Sequence, residues 1–427
     1  MVLLRAGVAA AALPDPLDLH TALERAEWAH PDLERARAEV AAAAAEAQRV
    51  RAGERLRADL ELEGRWIDPS PVAVDDSRND SRAHLRLHRQ LYDFGRTRAR
   101  EAAAGAERRA ARSGLVAARI QRQLEVLERY LDVLDADLAY RVADEAHAIA
   151  YIRYDRTRHR HRLKQVSDVA LLKSQARYQA ARGRRIEAGV QQRLARHRLA
   201  EALGVPDAPP ANLDEAPAVA LPRPFPDADR WIRRILDANP ALARARARER
   251  AAADRLRAAR HDPGPVLDGE LEASAYYRDF GFRDRLRAKL ILDVPLWTGG
   301  LRDAGLAAAR ARLRQARADR ARLTIATRTR VVALVEAIQA GLQRRKEVAV
   351  GTDYRDLDLD RSRALYEMEF NADLGDAMVL WSRAHRRERR LEYDLLRDWA
   401  ELAALEGRTP MEVIFGHGDK DTETGRH

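Results

Sequence analysis

Two pairs of residues in this chain have types and spacings that could do chemistry. Asp373 and Asp376 stand three apart in "DLGDA", and His159 and His161 stand two apart in "RTRHRHRLK". Carboxylates three apart share one helix face. There they can attract cations, or sit in a first helical turn and interact with the macrodipole. Paired histidines raise the idea of a metal site or a pH sensor. These two lie in a strongly basic turn with no nearby carboxylate cluster, and a solvated or partner-contacting tip is the better reading. The chain has no cysteine, which excludes disulfides, thiolate metal sites and Cys nucleophiles. It also has no nucleotide-binding loop and no paired acid and base. Neither an enzyme nor a cofactor is expected.

The elements that position these residues follow from composition and periodicity. In 427 residues, aromatics make up 5% and charged residues 34%, which suits long helices with narrow seams better than one thick core. The net charge is +10, but only five of the 77 basic residues are lysine. The arginines are spread along the chain and mixed with acids, so they read as codon bias as much as a binding surface. Nucleic-acid binding would call for a clustered stripe, and no nucleic-acid partner is expected. No run of 18 apolar residues marks a transmembrane helix. Residues 1–16, "MVLLRAGVAAAALPDP", read as a weak secretory signal or a disordered N-terminus.

The chain repeats itself once. "HPDLERARAEVAAAAAEAQRVRAG" from His30 is answered by "NPALARARARERAAADRLRAARHD" from Asn239. Each copy then alternates apolar and polar residues, in 58–66 and 84–91, and again in 267–277 and 286–294. Each continues as a very long helix, 96 to about 160 and 301 to about 365, and returns through "VSDVALLKSQARYQAAR" or "LGDAMVLWSRAHRRERR". The expected divisions are a first repeat at 17–204, a linker at 205–226, a second repeat at 227–407 and a disordered tail at 408–427. The linker holds seven of the 17 prolines and should form no regular element. Within the first long helix, Val116, Ile120, Leu124, Leu127, Leu131, Leu134 and Leu138 step by threes and fours, an apolar seam of coiled-coil type. Val331, Val335, Ile338 and Leu342 do the same in the second. Such a helix is about 100 Å long at ~1.5 Å per residue, with so little apolar surface that it must pack side by side with others.

The alternating segments set leucines and alanines on one face and charges on the other, with Ile291 the exception. A soluble sheet resting on a helix would show this pattern. So would transmembrane strands, which need ~9–11 residues alternating apolar-out and polar-in. Four strands cannot close a barrel, and open edges are not tolerated in lipid. Strands that cross a membrane here must therefore be pooled among chains, and three copies give twelve. Trp66, Tyr276, Tyr277 and Trp297 near the strand ends suit a membrane-interface belt, or ordinary packing.

With helix, strand, strand, long helix and return helix doubled around a proline-rich linker, residues 17 to 407 resemble the outer membrane efflux protein family, the TolC-like channels. The most specific points are the strand exits "QLYDFGRTRAR" and "VPLWTGGLRDAGLAAARARL". The second is similar to the family's proline, aromatic, Gly-Gly exit. Gly95, Pro295, Gly299 and Gly300 are read as strand-to-helix turns. "SDV" at 167–169 and "DLGDA" at 373–377 resemble the two hairpin tips. The resemblance implies a mainly α fold with a small β part: a homotrimer whose α-helical coiled-coil barrel carries a twelve-stranded β-barrel, four strands per chain. It also implies a place in the outer membrane, with outer membrane lipid around it and a tunnel extending into the periplasm. The implied function is a passive exit duct for efflux or type I secretion. Its partners would be a periplasmic adaptor (membrane fusion) protein and an inner-membrane pump. At the tip the resemblance makes Asp168 a latch carboxylate with Tyr366 as phenol partner, and makes Asp373 and Asp376 an acidic ring of six carboxylates under threefold symmetry. Phe370 and Asn371 stand where the family often has a basic residue, and Glu369 replaces the usual turn glycine. A soluble basic coiled-coil scaffold is the competing reading, and the strands are what discriminate the two.

Overall fold

The computed structural model describes residues 13–28, 30–218, 221–222, 224–278, 283–368 and 373–416. In chain order the elements are α1 (Leu19–Arg25), α2 (Pro31–Ala52), β1 (Arg57–Glu63), β2 (Arg82–Tyr92), α3 (Arg96–Arg162) and α4 (Asp168–Ala202). The second copy follows as α5 (Ala228–Ala238), α6 (Pro240–Arg260), β3 (Val266–Tyr276), β4 (Leu286–Asp293), α7 (Leu301–Glu367) and α8 (Leu374–Leu405), with α9 (Pro410–Ile414) after it. The two long helices have the same length, 67 residues each. That equality is the duplication read directly from backbone geometry.

Contacts divide the chain differently from the repeats. One compact unit draws on residues 1–34, 116–240 and 325–427, the other on 35–115 and 241–324. Each long helix contributes to both units, and strands of the two copies pair with each other, so each unit needs both repeats. Among its described residues the linker holds no helix or strand, and a bridge joins Leu213 to Leu17 in parallel.

The helical unit has two apolar clusters, the first drawing on both copies and the second built from α5, α7 and α8. In the first, Leu19 and Leu23 of α1 meet Val126, Leu127, Tyr130 and Leu131 of α3, Leu199 of α4 and Leu396 of α8. In the second, Trp231 and Ile235 of α5 meet Val331, Val335 and Ile338 of α7 and Leu395, Trp399 and Leu402 of α8. The coiled-coil seam is thus buried at Ile120, Leu127, Leu131 and Leu134, while Val116 is exposed. The Tyr130 hydroxyl donates to the carbonyls of Leu17 at 2.9 Å and Asp214 at 2.7 Å, tying the first segment and the linker to the long helix.

In the second unit the four strands form one antiparallel sheet in the order β1-β2-β3-β4. The register aligns like with like. Leu60, Leu85, Ala273 and Leu286 make one row across the sheet, and Asp59, Arg86, Glu272 and Arg287 make the adjacent row on the other face. A bulge falls between Gln90 and Tyr92.

Three sequence expectations need correction. The first strand ends at Glu63, short of the expected 66, and Trp66 makes only an isolated bridge with Asn79; Gly64 has no side chain to pack and interrupts the pairing. With seven residues in β1 and eight in β4, the outer strands are shorter than the inner ones, which have eleven each. Within the tail expected to be disordered at 408–427, α9 forms at Pro410–Ile414, and residues 417–427 lie outside the described residues. There Thr409 and Glu412 make a capping box, Pro410 fits the first turn, and Val413 is buried against the second cluster. At the other end, Leu13 packs against the first cluster; residues 1–12 of the candidate signal lie outside the described residues.

Candidate functional site

The features that could serve a function lie at the strand exits in one unit and at the hairpin tips in the other. At the first exit, Asp93 follows β2 and is 6% exposed. Its carboxylate accepts from the amide of Gly95 at 3.2 Å, the amide of Thr97 at 2.7 Å and the hydroxyl of Thr97 at 2.6 Å. This satisfies amides that α3 leaves without helical partners. Phe94 and Gly95 adopt φ of 57° and 94°, so the chain leaves the strand through two left-handed residues. At the second exit Pro295 follows the end of β4, and Gly299 and Gly300 have φ of 59° and 85°. Both exits need a positive-φ turn to change from extended to helical backbone, and glycine is the residue that takes it without strain. The second has no carboxylate cap: Thr298 offers its carbonyl to the amide of Leu301 at 3.1 Å. Asp93 escaped sequence reading, although an Asp four residues before a Thr at a helix start was a usable signal.

At the first tip, α3 ends at Arg162, Lys164 takes φ of 56°, and the side chain of Ser167 caps α4 through the amide of Ala170 at 3.3 Å. Asp168 lies in the first turn, and its carboxylate is 2.6 Å from Nε2 of His161. The histidine pair therefore does have a carboxylate beside it, supplied by the return helix. Asp168 has this imidazole as its described partner, while Tyr366 is exposed near the end of α7. His159 is exposed.

At the second tip, residues 369–372 lie outside the described residues, Glu369, Phe370 and Asn371 among them. Asp373 caps α8, accepting from the amide of Asp376 at 3.2 Å. Both carboxylates meet one guanidinium from the other hairpin: Arg153 of α3 bonds Asp373 and lies 2.9 Å from Asp376. Partial burial acts to raise the pKa of Asp373, but Arg153 and the Asp376 amide outweigh it, and the carboxyl sits below the ordinary aspartate range. Bonding to Asp376 and Asp373 in turn pushes Arg153 upward.

This clasp tops a line of contacts between α3 and α8. A Cβ on Gly375 would stand 2.8 Å from Cγ2 of Ile149. Ser382 donates to Glu145, Arg386 forms a two-pronged pair with Asp135 at 3.0 Å on each arm, and Arg397 reaches Asp132 at 3.3 Å. Arg153's role is not legible in the sequence, because nothing in an arginine-rich helix distinguishes one guanidinium from the next. Among the described residues no group of three or more His, Asp or Glu side chains is placed to hold a metal ion. No helix among them is long and apolar enough to cross a membrane.

The sheet has the inverse of ordinary burial. On its apolar face Leu62 is 71% and Leu290 73% exposed, whereas Glu272 and Ser274 on the charged face are each 8% exposed. On that face Nδ1 of His84 is 2.8 Å from Oγ of Ser274, Ser274 donates to Glu272 at 3.1 Å, and Lys289 donates to Glu270 at 3.0 Å.

Comparison with known proteins agrees with this geometry. Residues 231–408 match the family model described as outer membrane efflux protein. The fold is similar to that of the CmeC outer membrane channel of Campylobacter jejuni, with a TM-score of 0.75 at 14% identity over 91% of this chain and 85% of that one. It is also similar to CusC, at 0.73 and 18% identity over 91% and 92%. The outer membrane protein VceC of Vibrio cholerae gives 0.71 and 18% over 92% and 96%. No curated protein matches the sequence. Residues 231–408 thus resemble outer membrane efflux protein sequence, and the fold of the chain is similar to that of these outer membrane proteins.

Proposed function

Proceeding from that fold, we propose that the chain is a passive exit duct of the outer membrane: a homotrimer that pools twelve strands into one barrel and continues as a helical tunnel into the periplasm. The observation that carries this reading is the inverted sheet. In water an exposed leucine face loses the stabilisation of burial, about 25 cal/mol per Å² of apolar surface, while lipid supplies it. The charged face, laced by ion pairs, suits a water-filled lumen. Four strands leave two open edges, which lipid does not tolerate, so copies must share them. The scaffold reading leaves both the leucine face and the edges without a role. With no nucleotide-binding loop in the chain, energy for transport comes from an inner-membrane pump reached through a periplasmic adaptor.

The tips are the proposed gate. Asp168 and Tyr366 belong to it through their hairpin positions, and Asp373 and Asp376 through their place at the start of α8. Arg153 alters the expected ring. Two carboxylates and one guanidinium leave one net negative charge per chain, so a trimer presents three rather than six. A weak preference for cations follows.

Cell fractionation tests the proposal. The protein should sit in the outer membrane as a trimer; a water-soluble monomer or dimer would end the reading. In planar bilayers, Asp373→Ala with Asp376→Ala should lower cation selectivity, and Arg153→Ala should raise it. Unchanged selectivity in both variants would remove the tip from the conduction path.

A further inference from the structure

The charged face of the sheet has two more carboxylates than permanent cations, and it holds two histidines. Within the strands, β1 brings Asp59, Glu61 and Glu63 to this face, and β3 brings Asp268, Glu270 and Glu272. Asp293 of β4 is the seventh carboxylate. Against these stand five permanent cations: Arg57, Arg82, Arg86, Arg287 and Lys289. The other basic side chains of the face are His84 and His88 of β2. We propose that these two histidines set the charge preference of the barrel: with both neutral its wall favours cationic solutes, and with both protonated it favours neither sign. The inference rests on the channel reading, in which this face lines water, and adds a specificity that the clasp at the tips does not supply.

Each histidine is placed among the charges it would answer. His84 stands in register with Glu61 of β1 and Ser274 of β3. Its Nδ1 is 2.8 Å from Oγ of Ser274 and 3.4 Å from Oε1 of Glu272. The ring of Tyr276 meets it edge-on, with centroids 5.6 Å apart. His88 stands in register with Arg57 of β1 and Glu270 of β3, and its Nε2 is 3.8 Å from Asp268. Between the two, Arg86 is shared by three carboxylates, 3.6 Å from Glu61, 4.0 Å from Glu270 and 3.9 Å from Glu272. Arg82 is engaged by Glu63, and Lys289 by Glu270. The middle of the face is therefore negative, and the histidines lie there.

Histidine is the side chain that ordinarily changes charge between pH 5 and 8. Carboxylates are ionised and arginine and lysine protonated across that range. Seven carboxylates against five cations leave two net negative charges per chain, which is six in a trimer. Two protons per chain cancel them. A ring of negative side chains favours cations, so the preference should follow the histidines. The clasp of Arg153 with Asp373 and Asp376 holds no group of this kind. A histidine kept only for cross-strand packing would be replaced without loss by glutamine, which donates and accepts but takes no proton.

Charges on a wide wall act only as far as salt allows, about 30 Å at 0.01 M and about 3 Å at 1 M. Reversal potentials of wild-type trimers in planar bilayers, taken in dilute KCl gradients, should show a cation preference that falls several-fold from pH 8 to pH 5. The fall should disappear near 1 M salt. His84→Gln with His88→Gln should keep the pH 8 preference at both pH values, and His84→Arg with His88→Arg should keep the pH 5 one. If neither double variant yields channels, His88→Gln alone decides: it should remove part of the fall.

A fall that survives 1 M salt, that is unchanged in the glutamine variants, or that vanishes instead in His161→Gln at the tip would overturn the inference. Conducting wild-type trimers whose preference ignores pH would refute it and leave the channel reading standing. A wild-type protein that forms no channel would instead remove the channel reading itself.

Discussion

Tyr130 and Leu127 in the helical unit are fully buried, yet Leu62 and Leu290 in the sheet are 71% and 73% exposed. The same residue types thus obey opposite rules in two parts of one chain. In the helical unit the tyrosine hydroxyl finds two carbonyls and the leucines find each other across α1, α3 and α4. In the sheet the charges find each other and the leucines are left outward. On the proposed channel reading, the difference teaches that burial follows the solvent each part meets. A seam every three or four residues suits helices bundled in water, and alternation by two gives a wall with one apolar side and one aqueous side.

Exchanging the rules is the strongest way to break this comparison. Leu290→Arg places a cation on the outward face, which costs about 2–4 kcal/mol at the middle of a bilayer; the trimer recovered from outer membranes should fall sharply. Leu127→Ala should cost about 2–5 kcal/mol through the cavity it leaves, read as a lower midpoint in urea. If Leu290→Arg inserts normally while Leu127→Ala unfolds the protein, the sheet meets water and the comparison collapses.

A smaller effect sharpens the difference between the two exits. Asp93→Ala removes the acceptor for two amides and a hydroxyl at the start of α3 and should cost about 1 kcal/mol, as lost caps do. Hydrogen exchange should quicken over the first turn of α3. The corresponding turn of α7, which has no carboxylate cap, should be unchanged by Thr298→Ala.

The smallest effect concerns acid. The carboxyl of Asp373 is held below the ordinary aspartate value, so its contribution to the clasp is fully present above that ordinary value. It is lost only as pH falls through the depressed one. Protection of the amides at the start of α8, taken relative to their intrinsic exchange rate at each pH, should therefore be flat from neutrality down to about pH 4, the unfolded aspartate value, and fall below it. Asp373→Asn should abolish that acid limb; an identical limb in the variant would assign it to another group.

Much of this architecture was legible in the chain. The repeat at His30 and Asn239, the period-two segments and the glycines at 95, 299 and 300 each state a local geometric need. The α3 seam likewise announces itself in the spacing of Ile120, Leu127 and Leu131. What could not be read was which distant charges meet. His161 with Asp168, and Arg153 with Asp373 and Asp376, depend on the angle at which helices return. An arginine-rich sequence offers many equivalent partners for each acid. Within the tail at 408–427, the helix at 410–414 is hidden for a related reason: its capping box is local, but the burial of Val413 depends on α5 and α7.

By itself, then, the sequence determined periodicity: helices that need neighbours, strands with one apolar face, and glycine where the backbone turns left-handed. These follow from sterics and solvent within a few residues. Only the tertiary structure decided that β2 pairs with β3 across the two copies, that compact units cut through the repeats, and that one guanidinium holds two carboxylates. Such contacts join residues hundreds of positions apart, and their energies depend on distances that no local pattern encodes.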